Sequence, residues 1–109
     1  MYVYDQAHAL AKAIRETDEY KLVKQRKDKV ESDDMLKKMF TDYQTKQFEI
    51  QKSEIMGQPV SDETIQAFRQ VHEIVLANPT LREFMEAENR FGTMMADIQK
   101  ILVEGLSLG

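Results

Sequence analysis

A chain of 109 residues with 42% hydrophobic and 31% charged side chains has the balance of one modest folded domain and not of a disordered segment. It holds no Cys, which excludes disulfides, thiolate nucleophiles, cysteine-type zinc and cysteine-held iron–sulfur clusters. Its net charge of −4 gives no general attraction to nucleic acid or to an anionic membrane.

Four Gly and two Pro are too few for the turns of a sandwich or barrel. Leu, Met, Lys, Glu, Gln and Ala, all good helix formers, dominate. The predicted fold class is all-α. It is read as a single helical domain over 1–109, an antiparallel bundle or set of hairpins of about five helices by apolar periodicity. The opening Met1-Tyr2-Val3-Tyr4-Asp5 lacks the basic region and apolar core of a signal peptide. No apolar run approaches the roughly 18 residues of a membrane span. A cytoplasmic location is expected.

In chain order, the first helix is predicted over 4–16, with a narrow stripe of Val3, Ala7, Leu10, Ala11 and Ile14. The alanines would let a neighbouring helix approach closely. Thr17 or Asp18 marks a break and a new cap. A second piece over 19–31 carries Tyr20, Val23 and Val30 on one side, shared with the stem of Lys27. Ser32 is expected to cap a long helix, 33–56, with Asp33 and Asp34 suiting its dipole. Leu36, Met39, Phe40, Tyr43, Gln47, Ile50 and Glu54 fall on one side of it. At a rise of roughly 1.5 Å per residue this rod is about 36 Å long.

Gly57, followed by Pro59, is predicted to end the long helix in a left-handed cap. So short a turn makes the flanking helices antiparallel neighbours. Ser61 caps a fourth helix, 62–77, whose inner face is Ile65, Phe68, Val71, His72, Val75 and Leu76. At the next break, either Asn78 caps with Pro79 in the first helical position, or Thr80 caps with Glu83 reaching back. The second long helix follows, 79–104, with Gly105 expected to stop it. Its stripe is Leu81, Phe84, Met85, Glu88, Phe91, Gly92, Met95, Ile98 and Leu102.

Both long helices carry apolar residues away from these stripes. Phe48 and Ile55 lie about 100–120° from the first stripe, and Met94 and Ile101 lie off the second in the same way. A helix with two apolar sides has two neighbours to satisfy. The second neighbour is expected to be another copy of the chain, each large side chain so hidden contributing about 1.5–3 kcal/mol. Phe48, Ile55, Met94 and Ile101 are therefore the interface candidates of a homo-oligomer. Seven Met residues, most of them on or beside the stripes, suit either core filling or an adaptable partner surface.

Chemistry is not visible. His72 with Glu88 has neither a third group nor a pocket in view, and reads as a packed histidine. The residue three before His72 is Arg69 and three before His8 is Asp5, so the Glu-x-x-His metal pattern of helical di-iron proteins is missing. No Gly-rich phosphate loop occurs, and no serine has a nucleophile's surroundings. No catalytic, cofactor or metal residue is assigned, and no enzyme activity is expected. The one concentrated charge is basic: Lys21, Lys24, Arg26, Lys27 and Lys29, opposed by Asp28. It could meet RNA phosphate, but it spreads around its helix without interleaved aromatics, so a solvated face is the plainer reading.

Four stretches together have a familiar order: Ala7-His8-Ala9-Leu10-Ala11-Lys12-Ala13-Ile14 with Glu19-Tyr20; Phe40, Tyr43 and Gln47; Gly57; and Asn78-Pro79-Thr80-Leu81-Arg82-Glu83-Phe84-Met85-Glu86-Ala87-Glu88. The chain resembles the bacterial YlbF/YmcA/YheA family of small helical proteins, most closely its YheA-like branch, over nearly its whole length. The resemblance implies a cytoplasmic, non-enzymatic helical protein that associates with itself and with other helical regulatory proteins. Some members of that family are accessory factors in complexes that affect RNA processing by an endoribonuclease, and through it competence, sporulation and biofilm formation. This gives the alternative role of a factor contacting RNA or an RNase complex through 21–29. Iron–sulfur clusters linked to such complexes find no thiolate here. Nucleic acid is not the expected partner.

Overall fold

A computed structural model describes residues 2–107. They form five helices, with no strand among the described residues: α1 (Tyr2–Arg15), α2 (Asp18–Glu31), α3 (Asp34–Ile55), α4 (Asp62–Ala77) and α5 (Pro79–Leu106). The predicted all-α class and the two long helices are observed.

Short polar residues decide where each helix starts. The Thr17 hydroxyl donates to the carbonyl of Ile14 at 2.6 Å and accepts from the backbone N–H of Tyr20 at 3.2 Å, so one side chain ends α1 and starts α2. Ser61 caps α4 by accepting from the N–H of Thr64. Asn78 Oδ1 accepts from the N–H of Leu81 at 3.1 Å with Pro79 in the first helical position, which decides between the two starts open in the sequence. At the end of α3, Gly57 has φ 70; its N–H bonds to Glu54 and that of Gln58 to Ser53, the paired closure that a left-handed glycine permits.

Two expectations are corrected. Asp33, not Ser32, caps α3, because its carboxylate accepts from both Met35 and Leu36 N–H groups; Ser32 instead donates to the carbonyl of Lys29 in the last turn of α2. Gly105 does not stop α5. It lacks a positive φ, the helix runs on through Leu106, and the left-handed residue is Ser107, with φ 23.

The chain divides into two compact units. Unit 2 is Asp28–Glu83: the end of α2, all of α3 and α4, and the start of α5. Its centre is the α3–α4 hairpin, which the Gly57 turn forces into antiparallel contact. Tyr43 stacks on Phe68 at 5.5 Å with 19° between the rings, and His72 lies against both. Val30, Phe40, Tyr43, Val75 and Leu81 are buried there. Unit 1 holds α1, α2 as far as Lys27, and α5 from Phe84. In it α2 lies along α5 through Tyr20 on Phe91, 6.0 Å between centroids, and a loose Glu19–Arg90 ion pair at 3.9 Å. Its buried side chains are Phe84 and Ala87.

Candidate interaction surfaces

Helical periodicity places the inner stripe of α3 well, whereas Leu76 of α4 and Leu102 of α5, expected on inner stripes, are exposed because they lie near the ends of their helices. Along α3, Phe40 and Tyr43 are buried and Leu36, Met39, Gln47 and Ile50 are half-buried; only Glu54, at the far end, stays in water. Once these side chains meet α4, whatever remains apolar on the other side of α3 faces solvent. Phe48 is 65% exposed and Ile55 86%. On α5, Ile101 is 67% exposed, whereas Met94 is half-buried and so presents less free surface than its position off the stripe implies.

Sequence reasoning missed the larger exposed area. None of α1 is buried: Tyr2, Val3, Tyr4, Ala7, Leu10 and Ala11 are all exposed, and only Ile14 is half-covered. The last turns of α5 leave Leu102, Val103 and Leu106 in water as well. A signal was present in the composition of α2. Its fourteen residues include nine charged ones, and of its few apolar side chains Tyr20 packs on Phe91 and Val30 is buried in unit 2, so little is left to cover α1.

Lys21, Lys24, Lys27 and Lys29 are exposed on α2, while Arg26 is half-buried. The one aromatic residue of that helix, Tyr20, is packed on Phe91 and is not free to stack on a base. His72 lies against the stacked Tyr43 and Phe68 as a member of an aromatic cluster. Glu88 is exposed as a residue, yet desolvation pushes its carboxyl above the ordinary glutamate range, with the charge of Lys27 pulling it back. A shallow groove of about 400 Å³ between α3 and α4 is lined by Asp42, Lys46, Glu49, Glu63 and Thr64 among others, with Lys46 already paired to Asp42 at 2.8 Å. Among the described residues no group of three or more His, Asp or Glu is placed to hold a metal ion. Among the described residues no helix is long and apolar enough to cross a membrane.

Comparison with known proteins places the chain in a family. The fold matches a solved structure, a "Protein of Unknown Function (DUF964) from Bacillus stearothermophilus", with a TM-score of 0.83 over 97% of this chain and 93% of that one, at 20% identity. A UPF0342 protein of Halothermothrix orenii is 41% identical over 109 residues, covering all of this chain and 92% of the relative. Another from Caldicellulosiruptor bescii is 36% identical over 104 residues, 95% of this chain and 87% of the relative. The family model described as "Control of competence regulator ComK, YlbF/YmcA" matches residues 3–107, and the chain belongs to that family.

Proposed function

We propose that the chain is a non-enzymatic helical protein-interaction module, working in the cytoplasm as a homo-oligomeric regulatory or accessory factor. One observation carries the reading. Each unit taken by itself leaves large apolar side chains in water: Phe48 and Ile55 in Asp28–Glu83, and Ile101, Val103 and Leu106 in the unit that holds α1. Monomeric proteins do not expose large apolar side chains in such number. The family's description as control of a competence regulator supports a regulatory role, exerted on other helical proteins through the same surfaces.

The mass in solution tests this. The native chain should run as a dimer or larger at micromolar concentration, and Phe48→Asp or Ile101→Asp should lower that mass while the helical signal stays. Retention on RNA at low salt, lost when Lys21, Lys24 and Lys29 become Glu, would replace this reading with the RNA-associated one.

A further inference from the structure

We propose that the apolar face of α1 is a self-pairing seam, on which α1 of a second copy docks antiparallel. The proposal rests on the self-association above and names the surface that carries it.

Helix α1 has fourteen residues and buries none of them. An isolated helix of that length is marginal in water, so its order calls for a covering surface. Val3, Ala7, Leu10 and Ile14 follow one another at steps of four, three and four, the 3.5-residue repeat of a helix that packs lengthwise on another. The flanking residues Tyr4, Gln6, Ala11 and Ala13 are uncharged, and Asp5, His8, Lys12 and Arg15 all fall outside the seam. A second copy therefore brings no like charge against it.

The sizes along the stripe choose the direction. Reversed about its midpoint, Ala7 meets the partner's Leu10 and Val3 meets the partner's Ile14, so each small side chain receives a large one, and the contact is the same on both subunits. A parallel pair would set Ala7 on the partner's Ala7 and leave a gap. Val3 at 65% and Leu10 at 37% exposed leave the seam open to a copy. Two such helices do not reach the ~800 Å² per subunit of an ordinary stable interface by themselves. Ile101, Val103 and Leu106, exposed in the same unit, are available to supply the rest.

The absence of Cys makes the test clean. In an antiparallel pair the two copies of residue 3 are ~16 Å apart along the axis at the helical rise, whereas residue 3 lies opposite residue 14. Coexpressed and oxidised, Val3→Cys and Ile14→Cys chains should give a covalent heterodimer, and each variant alone should not. Leu10→Asp should lower the mass in solution at least twofold. The cross-link is read on chains with the seam intact, so it stands even where Leu10→Asp unfolds α1. Cross-linking of Val3→Cys alone overturns the direction. Failure of the mixed cross-link in an oligomer that survives Leu10→Asp overturns the seam and leaves self-association standing, and failure of the cross-link with Leu10→Asp still disruptive assigns the face to a different surface of the copy. A native chain that is monomeric ends both proposals.

Discussion

Helices α4 and α1 are similar in length, and each carries one apolar stripe, yet α4 buries Val75 completely while α1 buries nothing. The difference lies in their neighbours. Helix α4 follows a tight turn from α3, whose facing side offers Phe40, Tyr43 and Ile50. Helix α1 also meets its successor at a tight joint, built on Thr17, but α2 is mostly charged and spends Tyr20 on Phe91. An apolar stripe says that a helix needs covering; the composition of the next helix decides whether the same chain can do it.

The comparison is sharpest at a pair of leucines. Leu81, with no exposed surface in unit 2, should cost about 2–5 kcal/mol when cut to Ala, read by urea unfolding. Leu10→Ala should cost less than ~0.5 kcal/mol under dilute, monomeric conditions. Its cost should grow with protein concentration, and a Leu10 effect independent of concentration would break the contrast. Next in size are Phe48→Asp and Ile101→Asp, which should each remove about 1.5–3 kcal/mol from association for a fully covered side chain, measured as a rise in dissociation constant with helicity retained.

Caps give a smaller effect. Asn78→Ala should lower stability by about 1 kcal/mol, whereas Ser32→Ala should stay within about 0.5 kcal/mol, since Asp33 holds the start of α3. The two glycines should act with opposite sign. Gly92→Ala has open space around it in the middle of α5 and should stabilise by about 0.5–1 kcal/mol, unless a second copy packs closely there. Gly57→Ala forces a side chain into the left-handed region and should destabilise by about 1 kcal/mol.

The smallest effect concerns Glu88. Its carboxyl is raised in the folded chain, so the folded state holds this proton more tightly than the unfolded one. The stability this confers is complete at acid pH below the unfolded value and is lost as pH rises through the folded one. Glu88→Gln should therefore gain a little stability relative to the native chain at pH 7 and lose that gain at pH 4, both read by urea midpoints.

Much of the fold was legible because helices announce their ends and inner faces locally. Ser61, Gly57 and the Asn78-Pro79 break needed only neighbouring residues to be read, and Tyr43 followed from its spacing. Ser32 misled because serine and aspartate are equal candidates when adjacent, and the choice depends on which oxygen reaches the free N–H groups. Gly105 misled because a glycine permits a left-handed turn without requiring one. The exposure of α1 was harder to foresee, since it depends on what α2 does with its few apolar side chains. The exposure of Phe48 and Ile55 was visible in the spacing, while the aromatic stack that fills the opposite side of α3 depends on the register of the hairpin and was not.

Sedimentation equilibrium of the native chain over the micromolar range tests the central claim most directly. If a second copy covers the surface that one chain leaves bare, the mass should be at least twice 12.7 kDa and fall on dilution toward that value. A steady 12.7 kDa at every concentration would contradict the account.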